Sequence, residues 1–215
     1  MSKGADSPDD MSILYRYGST WYVNMTNRCP CRCTFCVRDH TPRLGDADSL
    51  WLIAEPTVEE VMAEIRARAS DAKEIVFCGY GEPTERLDDL VEIAGRIRAE
   101  TDARIRLDTN GLGCLINGRD IVPDLSKALD AISISLNACC PEEYVDLCRP
   151  EFGEASYDAL LRFIEGVRGS IPDVTVSVVG GTIPPESEER CRLMAESWGV
   201  SFRVRRTGAG SERAV

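Results

Sequence analysis

His40 is the only histidine in this chain of 215 residues. No HxH string and no acidic constellation suited to a metal-dependent nuclease is present. No apolar run approaches the roughly 20 residues needed to cross a bilayer, so no membrane association is expected. The stretch from Met1 to Met11 is polar and acidic without an apolar h-region, so a signal peptide is not expected either. Basic residues are in deficit: 25 Lys and Arg stand against 36 Asp and Glu, for a net charge of −11. Non-specific nucleic-acid binding needs the opposite balance, because phosphate-backbone affinity comes from excess positive charge. The one local basic strip, Arg203, Arg205 and Arg206, reads as a solvated edge near the chain end. Low-complexity linkers and internal repeats are also missing.

Cysteine, by contrast, is abundant. Ten of them in such a chain fit a reducing cytosol rather than a disulfide framework, and a cytoplasmic location is expected. Cys29, Cys33 and Cys36 form a CxxxCxxC triplet just after the apolar stretch Trp21 to Met25, with Phe35 directly before the last cysteine. Three thiolates suit a cubane iron–sulfur cluster that keeps one iron free, since a cluster that only carries electrons takes four cysteines. The same residues with His40 could also make a Cys₃His zinc knuckle, with Cys31 as a spare thiolate. A zinc knuckle usually organises a small domain, whereas this loop lies inside a long alternating pattern.

That pattern alternates strand and helix about six times. Strand-like runs rich in Val, Ile and aromatics cover Thr20–Met25, Glu74–Cys78, Arg104–Leu107, Ala131–Leu136, Val174–Val179 and Ser201–Val204. Between them, Val58, Val61, Met62, Ile65 and Ala69 share one helical face behind a Thr57–Glu60 capping box, and Leu87, Leu90, Val91, Ala94 and Ile97 repeat the spacing. Further helices are expected over Tyr157–Val167 and over Glu186–Trp198, stopped by Gly199. Repeated βα units with right-handed crossovers build a parallel sheet. Six units are too few to close an eight-fold barrel. The expected fold is α/β: an open partial (β/α)6 barrel of parallel strands over residues 20–207. A polar extension (1–19) would precede it and a flexible tail (208–215) would follow it.

In barrels of parallel strands the chemistry sits in the loops after the strands. After the second predicted strand comes Gly79-Tyr80-Gly81-Glu82-Pro83-Thr84. Its glycines would let the backbone approach a ligand closely, and Glu82 offers a carboxylate to a cationic amine; a plain turn into the next helix would look the same. After the third comes Leu107-Asp108-Thr109-Asn110-Gly111, which contains an Asn-Gly turn signal. Ser133, Ser135 and Asn137 alternate in the fourth, so period two sends them to the barrel interior. Buried polar groups there need partners. Val179-Gly180-Gly181-Thr182-Ile183 ends the fifth, where Ile183 is equally a core residue.

The triplet with its aromatic residue resembles the signature of the radical S-adenosylmethionine (SAM) enzymes. That resemblance implies a [4Fe–4S] cluster on Cys29, Cys33 and Cys36. SAM would bind the open iron, and a 5′-deoxyadenosyl radical would abstract hydrogen from an unidentified substrate. Residues 79 to 84 are similar to the family's GGEP motif, with Tyr80 in place of the second glycine. Gly79, Gly81, Glu82 and Pro83 would then hold the SAM amino group. Phe35 completes the cluster loop. The string holding Asp108 and Asn110 is similar to one in glycyl-radical activating enzymes, where the aspartate lies near the SAM carboxylate and a monovalent cation. Those enzymes carry Asp where Ser135 stands here. Ser135 and Asn137 would meet the ribose, and Ile183 the adenine.

More narrowly, Phe77 to Thr84, Asn117 to Pro123 and Leu147 to Gly153 look like segments of the TatD-nuclease-associated radical SAM proteins, a group with no settled substrate. A reductant such as flavodoxin or ferredoxin is the implied partner. Two compact relatives compete. One is a glycyl-radical activase. The other is a 7-carboxy-7-deazaguanine synthase, which would need Mg²⁺ near Thr34. Outside the enzymes stands a zinc or iron–sulfur interaction module. Arg149 and Arg119 are candidate clamps for an anionic substrate group, or ordinary surface arginines. Cys139, Cys140 and Cys148 could hold an auxiliary cluster or donate a thiyl hydrogen, or be small buried hydrophobes.

Overall fold

A computed structural model describes residues 11–41 and 44–205. Arg206 and the expected tail at 208–215 lie outside the described residues, as does most of the expected extension. Seven strands form one sheet in sequential order. They are β1 (Leu14–Tyr17), β2 (Thr20–Val23), β3 (Glu74–Phe77), β4 (Arg104–Thr109), β5 (Ala131–Ser135), β6 (Asp173–Val179) and β7 (Ser201–Arg205). From β2 onward every pairing is parallel, as βα crossovers require. The sheet does not close, and the fold is that of a partial barrel.

The helices are α1 (Val58–Arg68), α2 (Leu87–Glu100), α3 (Gly113–Asn117), α4 (Val122–Ala128), α5 (Pro141–Cys148), α6 (Ala155–Val167) and α7 (Pro185–Trp198). Helix α1 starts on the expected capping box, with Thr57 and Glu60 satisfying each other's backbone N–H groups. Helix α7 stops at Gly199, which takes the left-handed conformation (φ 69°) that ends helices cheaply only in glycine. Among the described residues no helix is long and apolar enough to cross a membrane.

The sheet begins earlier than the sequence suggests. Strand β1 lies in the segment assigned to a polar extension and pairs antiparallel with β2, with Tyr15 opposite Tyr22. Leu14 and Tyr15 are both buried, on opposite faces, so one short strand serves two packing layers.

Those layers divide the molecule. Ile75, Phe77, Ile105, Leu107, Ile132, Ile134, Val174, Val176 and Val178 face outward and join the helices in the main core. Their alternates face inward, and there the sheet is not uniform. At β1–β3 the inner face carries Tyr15, Tyr22, Val76 and, just beyond β3, Tyr80, packed with Ala47 and Leu50. At β4–β7 it carries Arg106, Asp108, Ser133, Ser135, Ser177, Arg203 and Arg205, whose side chains meet across the strands.

Candidate active site

The cysteine triplet lies in the loop after β2, and the end of α5 holds that loop in place. Cys31 makes an antiparallel bridge to Pro150. Arg32 N–H donates to Cys148 O at 3.0 Å, Thr34 N–H to Leu147 O at 2.9 Å and Glu151 N–H to Pro30 O at 2.8 Å. The Leu147–Gly153 string is thus the clamp on the cluster loop. At its centre Arg149 is left-handed (φ 46°, ψ 56°), not extended as a residue before proline usually is.

Cys29, Cys33 and Cys36 are all half-buried, whereas Cys31 is buried. Hydrogen bonds from the Cys148 thiol and then the Cys31 thiol lower the Cys33 thiol to about 4, and Cys31 lowers Cys29 in the same way. Burial raises Cys36. Two thiols of the triplet therefore favour the thiolate that metal binding requires. The donor set fits a cluster better than a single ion. Among the described residues the only three ligand-type side chains gathered within 4.8 Å are Cys139, Cys140 and Glu143. A tetrahedral zinc with Zn–S bonds of about 2.3 Å would draw the triplet and His40 that close together. His40 is exposed instead.

Glu82 sits at the hub of the site. Its carboxylate is buried and accepts from Thr84 N–H (3.1 Å), Thr84 Oγ1 (2.8 Å) and Thr109 Oγ1 (2.7 Å) on one oxygen, and from Asn110 N–H (2.7 Å) on the other. Burial raises its pKa while these donors pull the other way. The Glu82 backbone N–H donates to Arg28 O at 2.8 Å, tying this turn to the cluster loop. Asn110 completes the link, because its side-chain amide lies 3.9 Å from Cys29 Sγ. Pro83 opens the short 3₁₀ turn that follows and is buried.

The two glycines pack the turn closely against the chain's own backbone and side chains. A Cβ on Gly79 would lie 2.1 Å from Asn24 Oδ1, and one on Gly81 would lie 2.2 Å from Thr26 O and 2.6 Å from Arg28 O. They let the turn press against the base of the cluster loop. Tyr80 turns away into the aromatic layer, where it packs edge-on to Trp51 and its hydroxyl donates to Thr41 O.

Other expected site residues are distributed as follows. Phe35 packs against the main core, and Ile183 is buried within it. Asp108 faces inward and pairs with Arg106 at 3.5 Å. Ser135 Oγ and Asn137 Oδ1 already accept from one Arg205 guanidinium nitrogen at 3.1 and 3.0 Å. Arg203 reaches Ser133 Oγ at 3.0 Å. These two arginines are half-buried and inward-facing, which corrects their reading as a solvated edge. Arg119 is bound to Asp124 at 2.5 Å, which engages its guanidinium. Arg149 is exposed beside the cluster loop and makes no ion pair among the described residues, with neither Glu151 nor Glu154 holding it.

The three cysteines considered for an auxiliary cluster are split. Cys148 lies with Cys33 and 3.5 Å from Asn137 Nδ2, away from the Cys139–Cys140–Glu143 group. A cleft of about 500 Å³ between the starts of α1 and α2 is lined by Arg28, Glu55, Glu85, Arg86 and Asp89, among others. These five residues pair with one another, and Asp88 at the rim is exposed, with Arg119 at 3.9 Å.

An open barrel of parallel strands with a three-thiol loop after its first parallel strand defines a class of iron–sulfur proteins with an open coordination site. Residues 23–196 match the Radical SAM superfamily, and the chain belongs to that family. Members of the family use a [4Fe–4S] cluster and S-adenosylmethionine. The chain is 36% identical over 138 residues to a GTP 3′,8-cyclase of Corynebacterium glutamicum, covering 59% of this chain and 33% of that protein. It is 31% identical over 137 residues to molybdenum cofactor biosynthesis protein 1 of Bos taurus, covering 62% of this chain and 20% of that protein. The chain thus spans a third or less of these curated relatives. Among solved structures, HydG, the FeFe-hydrogenase maturase of Carboxydothermus hydrogenoformans, superposes with a TM-score of 0.62 at 18% identity. The match covers 92% of this chain and 46% of that one. TYW1 with a lysine–pyruvate adduct bound gives 0.62 at 13% identity, covering 90% and 66%.

Proposed function

We propose that this chain is a radical SAM enzyme whose cluster ligands are Cys29, Cys33 and Cys36 and whose SAM amine sits at Glu82. The observation that carries the reading is the Asn110 bridge. One residue binds the buried Glu82 carboxylate through its backbone and approaches a cluster thiol through its side chain. When bound, the cluster would supply one electron to the SAM sulfonium, whose C–S cleavage would release methionine and provide the hydrogen-abstracting chemistry.

The chain's own residues bind and orient. The Glu82 oxygen facing Asn110 holds one protein donor, which leaves lone-pair capacity for an ammonium. In a buried setting that charge-assisted bond is stronger than in water. Thr84 and Thr109 fix the other oxygen, so the carboxylate does not rotate away. Ser135 keeps its own hydroxyl hydrogen to donate to the ribose while it accepts from Arg205. Phe35 and Ile183, which pack with the main core, would present their edges as apolar walls, and Asp108 would be the acidic group on the inner face.

The Corynebacterium glutamicum relative is named for GTP, but this chain spans only 33% of that protein, so its substrate is not carried over to this chain. The Leu147–Gly153 string supports a place among the TatD-associated members, and in this fold it holds the cluster loop. Ten free cysteines fit a cytoplasmic setting with flavodoxin or ferredoxin as reductant. Arg149 is kept as a rim contact for an anionic substrate. The test is anaerobic reconstitution followed by dithionite reduction with SAM. 5′-Deoxyadenosine above a Cys36→Ala control is expected, and stoichiometric zinc in place of iron would overturn the reading.

A further inference from the structure

The inner face between β4 and β7 carries more positive charge than the fold needs. Arg106 has Asp108 at 3.5 Å and Glu74 at 3.8 Å. Arg203 and Arg205 have no carboxylate partner among the described residues and rest on neutral acceptors, Ser133 for one and Ser135 with Asn137 for the other. The Nε of each is buried without an acceptor. A guanidinium carries five N–H donors, and these bonds use one nitrogen of each. Asp108 acts on both arginines only through its field, without an ion pair, so burial still pushes the Arg205 pKa down. The backbone nonetheless fixes the pair: Arg205 O accepts from Gly180 N–H at 2.7 Å, and Arg203 stands in register with Ser177.

Depth separates Arg203 from the Glu82 end of the SAM site, while Arg205 adjoins the proposed ribose contacts Ser135 and Asn137. Glu82 and Asn110 lie beyond the ends of β3 and β4. Arg203 reaches Ser133, which is in register with Asp108 inside the sheet. An anion held between them would lie along the β7 side of the inner face, beside the proposed ribose contacts, where a substrate bound next to SAM can reach it.

We propose that Arg203 and Arg205 form an oxyanion subsite on the inner face that binds a phosphate or carboxylate group of a substrate distinct from SAM. This deepens the radical SAM reading and rests on it only for the identity of the second ligand. Two guanidinium groups side by side suit a group with several equivalent oxygens, because each can offer a planar fork. In a chain of net charge −11, such a patch selects anions against the overall field.

The test uses anaerobically reconstituted protein with SAM bound, and inorganic phosphate and succinate as probes at constant ionic strength, read by thermal unfolding and titration calorimetry. At least one probe should stabilise the wild type. Arg203→Gln and Arg205→Gln should each weaken that probe about tenfold or more, as loss of a charged hydrogen bond does, while Arg119→Gln leaves it unchanged. Should the glutamine variants fail to fold, Arg203→Lys and Arg205→Lys keep the charge, lose the fork and should still weaken the probe. An unresponsive wild type, or folded variants that respond like the wild type, overturns the proposal. A third arm compares SAM with decarboxylated SAM. If Arg205→Gln weakens SAM alone and phosphate competes with SAM, the pair serves the SAM carboxylate and the proposal falls. Iron content measured on the same samples separates the readings. A protein without a cluster that still binds phosphate through these arginines fails as a radical enzyme and keeps its anion subsite.

Discussion

The two halves of the inner face are built on one alternation and do opposite things. At β1–β3 the inward positions are aromatic and aliphatic, and the 44–51 segment folds over them, with Tyr15 stacked on Tyr22 at 5.2 Å and Trp51 edge-on to Tyr80. At β4–β7 the inward positions are mostly charged or hydroxylic and bond to one another across the strands. The first half stabilises the fold by removing large apolar surfaces from water. The second half gives stability away by burying charges with incomplete partners. Sites that bind and react are commonly built at the expense of stability, and the boundary between the halves falls at Cys78, Asp108 and the cluster loop.

The sharpest way to break the comparison lies on that boundary. Replacing Cys33 with Ala should abolish the iron content and all deoxyadenosine formation. Replacing Cys31 with Ala should leave iron in place, although Cys31 is buried and bonded to both neighbouring thiols. Iron analysis and absorption spectra after reconstitution decide it. If Cys31→Ala loses iron while Cys36→Ala keeps it, the ligand assignment is wrong.

Next in size comes the aromatic half. Tyr15→Ala should cost about 3–5 kcal/mol, the range for deleting a large buried ring, and show as a lower denaturant midpoint. Tyr15→Phe should be neutral or stabilising, because the Tyr15 hydroxyl is buried without a partner. A Tyr15→Phe protein that folds normally but no longer binds SAM would show that the aromatic half belongs to the site.

Much of this contrast could be read from the sequence. The Ser133–Ser135–Asn137 alternation places polar groups inside, and they are there. The six parallel strands and the Thr57–Glu60 cap follow from composition and spacing. What escaped depends on partners distant in sequence. The strand β1 is four residues long and makes sense only once Tyr15 meets Tyr22. The helices α3 and α4 are five and seven residues long, too short to show a periodicity. Arg203 and Arg205 alternate like any amphipathic strand, and which face turns inward is set by pairing with β6 and by serines 70 residues earlier. Gly79 and Gly81 also allow a close approach that the motif does not show, that of Asn24, Thr26 and Arg28 of the chain itself.

Glu82→Gln comes third. Loss of the charged acceptor should weaken SAM by about 1–3 kcal/mol, or one to two orders of magnitude in affinity. The structure adds a folding cost, because the new amide would turn an N–H₂ toward either Asn110 N–H or the two threonine donors. Calorimetric titration with SAM and a melting curve on the same sample separate the two effects. An unchanged SAM affinity in a folded variant would return the segment to a simple turn.

The smallest effect tests the polar half by pH. Asp108 is buried, and burial raises its pKa above the ordinary 3.8, while Arg106, Arg203 and Arg205 pull it down by less. A carboxyl with a raised folded-state pKa binds more protons in the native than in the unfolded state between the two values. Its ionisation therefore destabilises the fold above that window, and the penalty disappears as pH falls toward 3.8. Asp108→Asn removes the titration. Relative to the wild type, the variant should be more stable at neutral pH, with the advantage shrinking as pH falls through the window. Urea midpoints at neutral and mildly acidic pH give the difference. The opposite slope, with the variant weakest at neutral pH, would mean that the three arginines hold Asp108 as their counter-ion. The polar half would then be balanced without any ligand, and the contrast with the aromatic half would be one of composition rather than of function.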